Sequence, residues 1–314
     1  MFEILKIDFK NQPKEKFSLQ LIESLKETGF AVIENPPINF SLIHELYDLW
    51  DTFFQTPTRF DFIYDPTIQA GYFPFASESA KTAKAPDLKE FFHFYTWYYR
   101  NNQIIKTMGP LRPLFSKTFQ IFEEMENFGL YLLSSIESFI PKNITDTFYC
   151  PLAEMANTSR STLLRILHYP AMTSKPNIEQ TRAYEHEDIN LITLLPTSTT
   201  PGLVVKDLDG AWHEVPFVEK SLVINVGDML QKCTYNFFKA TTHKVVEIGD
   251  SLTKSRYSMP LFIHPKDYIQ LTPHLTAGDY LRQRLKQLGL LSDESWQLHQ
   301  KTFSNYSSLQ NVSI

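Results

Sequence analysis

The stretch AYEHEDINLITLLPT, Ala183–Thr197, decides how the second half of this chain is read. A polar tripeptide, His186-Glu187-Asp188, runs into the apolar series Leu191-Ile192-Thr193-Leu194-Leu195. On an extended backbone, residues i and i+2 project to the same side. His186 and Asp188 can therefore share one ion, whereas Glu187 points away. The tripeptide is not specific by itself: with 9 His and 35 acidic residues in 314, about one such match is expected by chance. A solvated strand end is the more economical reading unless a third ligand lies on a neighbouring strand. His243, His168, His213 and His264 all lie in or beside strand-like stretches, so position alone leaves the choice among them open.

Outward from this stretch, short β-type runs separated by turn signals fill the C-terminal half. They are Ser161–Tyr169 (stopped by Pro170), 191–195, Gly202–Lys206, Trp212–Val215 after the Asp209-Gly210 turn, Ser221–Val226, Thr242–Val246 and Tyr257–Ile263. Such a series predicts an antiparallel barrel or jelly roll. The N-terminal half reads as helices with one strand between them. Ser18 is a candidate cap for a helix stopped by Gly29, and Phe30–Ile33 has strand character. Ser41 is a candidate cap for a second helix ended by Pro57, and a third helical pattern runs from about Leu114 to Ile140. After Pro265, Thr276 and Asp279 form a capping-box-like start to a last helix. Together with the family resemblance set out below, these patterns make the expected fold α+β: a double-stranded β-helix (jelly-roll) core flanked by helices from the N-terminal half and a C-terminal helix. Residues 1–150 form the helical and mixed part and 151–314 the jelly-roll part, together one integrated catalytic unit.

Bulk properties remove several function classes. A net charge of −5 gives no electrostatic reason to expect nucleic acid or an anionic membrane as partner. No apolar run approaches the roughly 18 residues of a membrane span, and the N-terminus lacks the pattern of a signal peptide. Two cysteines, Cys150 and Cys233, without a C-x-x-C pair argue against a disulfide framework or a thiolate zinc site. A soluble, cytoplasmic monomer is expected. The 25 Phe and 15 Tyr predict aromatic-rich packing and room for an apolar cavity.

The order His186-x-Asp188, His243, Arg256-x-Ser258 resembles the isopenicillin N synthase-like family of Fe(II)- and 2-oxoglutarate-dependent oxygenases. The blocks HEDINLITLL, GLVVKDLDGAWHEVP, SLVINVGDMLQ, KATTHKVV and RYSMPLFIHP match that family in order and spacing. LRILHYP (Leu164–Pro170) is similar to its Arg-x-x-x-Tyr-Pro strand, and ETGFAVIENPPI and PDLKEFFHF to its N-terminal segments, so the likeness covers about residues 1–290. It implies that His186, Asp188 and His243 hold Fe(II), leaving three coordination positions for 2-oxoglutarate and O2. It also implies that Arg256 and Ser258 bind the distal carboxylate of 2-oxoglutarate with help from Tyr169, while Arg165 joins a structural ion pair.

There are departures from the family pattern. Leu167 stands where relatives often carry Asn, and His168 where Tyr is common, which puts one contact near 2-oxoglutarate in doubt. Tyr235-Asn236 replaces a common Asn-Gly, a turn that Asn can sustain in the left-handed region. Lys244 replaces a common arginine. Ala70–Phe75, Phe92, Phe94 and Tyr95 fall near the mouth in relatives, although packing of an aromatic layer is the more economical reading. His93 and His213 read as packed or surface histidines, Thr197–Thr200 as a plain loop, and the chain past Ser292 as a tail.

The function implied is oxidation of a small molecule by hydroxylation, desaturation or ring closure, with release of succinate and CO2. The same triad also serves an isopenicillin N synthase-type oxidase that does not use 2-oxoglutarate. The arginine cannot separate the two, because a substrate carboxylate could occupy it. A non-catalytic jelly-roll binding protein is disfavoured by the intact ligand set.

Overall fold

The computed structural model describes residues 2–78, 86–97, 109–172, 181–248, 253–291 and 297. The tail past Ser292 falls outside the described residues, apart from residue 297. Helix α1 spans Lys14–Thr28, not a segment beginning at Ser18. Pro13 presets the entry, and the buried face begins with Phe17, so Ser18 sits inside the helix, buried. Gly29 ends it in the left-handed region (φ 74°), its N–H donating to the Leu25 carbonyl at 3.0 Å. In α2 (Phe40–Gln55) the cap is Asn39 rather than Ser41: its side chain accepts from the Leu42 N–H. Helix α3 runs Arg112–Glu137 and buries Phe115, Phe122, Met125 and Phe128 on one face.

The larger sheet contains β1 (Lys6–Asp8), β2 (Phe30–Glu34), β3 (Gly71–Phe73), β4 (Glu90–Phe94), β5 (Leu163–Tyr169), β7 (Ile192–Pro196), β10 (Ser221–Val226), β12 (Arg256–Ser258) and β13 (Leu261–Ile263). Its order is β1-β2-β10-β7-β13-β5-β4-β3, with β12 also on β5. The smaller sheet, β6-β11-β8-β9, consists of Ala183–His186, His243–Val245, Leu203–Lys206 and Trp212–Glu214. These two sheets, antiparallel apart from the β1-β2 pair, form the expected jelly roll, and strands from the N-terminal half extend it at both edges. The stretch 256–263 is two strands, not one. Pro260 has no N–H to donate, so the ladder breaks there while its carbonyl still accepts from the Arg165 N–H at 3.0 Å.

The main core lies between the larger sheet and α1–α3. Trp50 is its centre, fully buried against Phe53, Phe92 and Phe115, with its indole N–H donating to Thr118 Oγ1 at 3.1 Å. Tyr72, Phe73, Phe92 and Phe94 are buried in these clusters, so packing accounts for most of the aromatic segment. No helix among the described residues is long and apolar enough to cross a membrane.

Candidate active site

The site is built where β6 meets β11. Register places His243 directly opposite His186, and Asp188 follows two residues beyond. One ligand atom from each of His186, Asp188 and His243 lies within 4.8 Å of the others. Asp188 Oδ1 is 3.8 Å from Nε2 of both histidines. Each imidazole donates its Nδ1–H to a backbone carbonyl, Tyr184 at 2.7 Å and Thr241 at 3.0 Å, which leaves the Nε2 lone pairs turned toward one point. The other oxygen of Asp188 accepts from Thr193 Oγ1 at 2.5 Å and Asn225 Nδ2 at 2.7 Å. Burial pushes the Asp188 carboxyl up, but the two imidazoles and these two donors outweigh it and hold its pKa below the usual value. Burial, reinforced by His243, lowers the pKa of His186 and keeps it neutral, as a metal ligand must be. Two imidazoles and one carboxylate with converging lone pairs fit a divalent iron with open positions.

Glu187 stays out of this cluster, accepting from the Thr242 hydroxyl. Among the other candidate histidines, His168 pairs with Glu90 at 2.7 Å and stacks on Tyr257. His213 pairs with Asp207 at 2.6 Å, and His264 lines the cavity above the triad with its Nδ1 on the Phe262 carbonyl.

On β12, Arg256 and Ser258 are both 2% exposed and joined by a 3.1 Å bond from Nη1 to Oγ. Register sets Arg256 opposite Tyr169, whose ring lies under the guanidinium at 5.2 Å. The other guanidinium nitrogens donate to the Thr200 carbonyl (3.1 Å) and Ser198 Oγ (3.0 Å), and no carboxylate among the described residues pairs with it. Thr197–Thr200 is therefore more than a plain loop: it braces Arg256, and Thr199 accepts from the Tyr257 N–H. Its run of hydroxyl residues was the available signal. Leu167 is buried in the same apolar cluster as Tyr169 and offers no polar atom there.

A cavity of about 180 Å³ opens over His186 and Asp188. Its polar wall carries Glu78, Asp87, Lys89, His93 and Arg165; its apolar wall includes Leu281, Leu285 and Leu288 from the C-terminal helix and the turn after it. Arg165 is in the expected ion pair, with Glu78, and also donates to His93, yet it faces this cavity. His93 is buried, as expected, but at the cavity wall. Sequence reasoning does not single out Lys89, Glu78 or Asp87. The alternation of Asp87 and Lys89 in PDLKEFFHF hints at a polar face, but nothing local links it to a triad about a hundred residues away.

A jelly roll with this ligand set at the meeting of two strands defines a non-haem metal-dependent oxygenase class. Residues 161–265 match the 2OG-Fe(II) oxygenase superfamily, and residues 4–111 match the non-haem dioxygenase in morphine synthesis N-terminal family. A solved structure from Shewanella oneidensis, assigned as an oxygenase, is 38% identical, with a TM-score of 0.78, over 92% of this chain and 100% of that one. Gibberellin 2-beta-dioxygenase 1 of Arabidopsis thaliana is 26% identical over 98% of this chain and 88% of its own. The fold is also that of a full-length Neurospora crassa protein solved in complex with α-ketoglutarate (2-oxoglutarate) and thymine, at 24% identity, with a TM-score of 0.74, over 90% of this chain and 95% of that one. The chain belongs to the 2OG-Fe(II) oxygenase superfamily. It is an oxidoreductase that takes Fe(II), 2-oxoglutarate and O2, which favours this reading over the 2-oxoglutarate-independent oxidase.

Proposed function

We propose that the chain oxidises a small molecule at an iron held by His186 Nε2, Asp188 Oδ1 and His243 Nε2, while Arg256 and Ser258, backed by Tyr169, hold the distal carboxylate of 2-oxoglutarate. The observation that carries the reading is the convergence of three ligand atoms within 4.8 Å, with His186 and Asp188 lining a cavity. Bound iron would let O2 serve as the oxidant, its four electrons coming two from the decarboxylation of 2-oxoglutarate to succinate and CO2 and two from a substrate C–H bond. The protein's part is positioning. Thr193 and Asn225 fix the Asp188 carboxylate, and the carbonyls of Tyr184 and Thr241 fix the imidazole tautomers. A buried guanidinium lacking a carboxylate partner among the described residues supports an anion-binding role for Arg256. The leucine wall offers an apolar surface against which the body of a substrate can pack.

The test is spectroscopic. Under anaerobic conditions, Fe(II) plus 2-oxoglutarate should give a weak visible charge-transfer band that His186→Ala abolishes. Iron that binds without a band at saturating 2-oxoglutarate would sink the reading and promote the oxidase alternative. Both thiols suit a reducing, cytoplasmic setting: burial raises the pKa of Cys150 and pushes Cys233 up to about 12, so neither is a ready thiolate. We read the chain as a monomer, which sedimentation would check.

A further inference from the structure

Asn190 lies between β6 and β7, two residues past Asp188, and is fully buried. Its Nδ2 donates to the Ile192 carbonyl at 3.1 Å and to Thr193 Oγ1 at 2.9 Å, which uses both amide hydrogens. Its Oδ1 is buried and has no hydrogen-bond partner among the described residues. The two ends of a carboxamide are alike in shape but opposite in chemistry. Turning this one over would set Oδ1 against the Ile192 carbonyl, acceptor against acceptor. A carbonyl can only accept, so Ile192 fixes Nδ2 as the atom that meets Thr193.

That orientation decides where the Thr193 hydrogen goes. A hydroxyl carries one hydrogen, and Thr193 Oγ1 accepts from Asn190, so its own hydrogen is left for Asp188 Oδ2 at 2.5 Å. The same Oδ2 takes Asn225 Nδ2 at 2.7 Å. With two donors on Oδ2, Oδ1 is the oxygen left to face Nε2 of His186 and of His243. Amide, hydroxyl and carboxylate thus form a relay in which every bond points the same way and each polarises the next. Its start is pinned by the backbone. The carbonyls of Asp188, Asn190 and Leu191 accept from the N–H groups of Asp228 (2.7 Å), Met229 (3.0 Å) and Gly227 (2.9 Å). A Cβ at Gly227 would lie 2.2 Å from Asn190 Oδ1, so the glycine leaves room for the amide.

Resting on the iron site proposed above, we infer that Asn190 is a positioning residue for the metal: by donating to Thr193 it commits the Thr193 hydrogen to Asp188 Oδ2 and leaves Oδ1 for the ion. Asn190 is outside the ligand cluster and acts on it through the Thr193 hydroxyl.

The test is a double-mutant cycle read by anaerobic Fe(II) titration. Asn190→Ala should weaken iron binding about threefold and Thr193→Val about tenfold. The double variant should match Thr193→Val alone, because without the hydroxyl Asn190 has nothing to act through. In a Thr193→Ser background, which keeps the hydroxyl, Asn190→Ala should again weaken binding about threefold. An unchanged Kd in Asn190→Ala, or losses that multiply in the double variant with Val, would overturn the inference and leave Asn190 a packing residue. Should Asn190→Ala not fold, NMR of the metal-free protein decides. The Asn190 side-chain amide protons should exchange slowly with solvent and should shift more on Thr193→Val than on Thr193→Ser. Fast exchange, or equal shifts in the two variants, would overturn the inference. An unmodified protein that binds no Fe(II) would instead remove the parent reading, and the inference with it.

Discussion

Asp188 illustrates how a residue acquires a role that its sequence neighbours cannot confer. One oxygen faces both imidazoles, while the other is held by Thr193 and Asn225. Asn225→Ala removes one of those holds and should weaken Fe(II) binding about tenfold, measured by anaerobic metal titration. His264 makes a separate prediction. Burial lowers its pKa to about 4, against an ordinary value of about 6.5. The folded state therefore favours the neutral ring. Its contribution is complete above about pH 6.5 and is lost as pH falls toward 4, at a total of about 3 kcal/mol. Denaturant melts between those pH values should show a smaller loss in His264→Gln than in the unmodified protein. Of the residues proposed to form the site, His186, Asp188, His243, Arg256, Ser258 and Tyr169 could be named from the sequence because its ordered blocks resemble a known family, with i,i+2 spacing supporting His186-x-Asp188 and Arg256-x-Ser258. Thr193, Asn225, Ser198 and Lys89 could not, since Ser, Thr, Asn and Lys are common and only their partners distinguish them.

Elements were legible in kind and less so at their ends. Helix α1 starts a turn earlier than Ser18 suggests, because the apolar face continues to Phe17 and burial outweighs a preferred cap. Asn39 outcompetes Ser41 by being the residue whose side chain reaches the Leu42 N–H. The Tyr235-Asn236 turn adopts left-handed backbone at both positions (φ 49° and 64°), so Tyr bears the less favourable conformation beside an Asn that tolerates it. Gly29 couples an element boundary to the site. A Cβ there would lie 2.2 Å from Thr241 Oγ1, and the Thr241 carbonyl orients His243. Gly29→Ala should cost about 2 kcal/mol or more in stability and weaken iron binding as well. Gly210→Ala, with positive φ but open space around it, should cost about 1 kcal/mol and leave the metal site untouched. Thermal melts and Fe(II) titration of the two variants together check the contrast.

Across the whole molecule, the N-terminal half completes the sheet on which the site depends. Strand β2 pairs with β10, β4 pairs with β5, and Asp87 accepts from the Tyr184 N–H two residues before His186. A fragment of residues 151–314 would expose both partners' edges and lose this brace, so we expect it to aggregate and to bind no iron, as read by light scattering and metal titration. The chain's own alternation of apolar residues and turns determined that its second half is a series of short antiparallel strands, a barrel or jelly roll, because strand formation follows a period-two pattern that is local. Which strands pair was decided by the tertiary structure. Spacing two apart on a strand put His186 and Asp188 on one side, but the third ligand, His243, was named only through the family resemblance. The cavity was decided only in three dimensions. Lys89, Arg165 and the leucines of the C-terminal helix lie far apart along the chain, and no local period records that they meet. Which groups pair there is a property of that meeting, arising when burial forces each group to find a partner or go without.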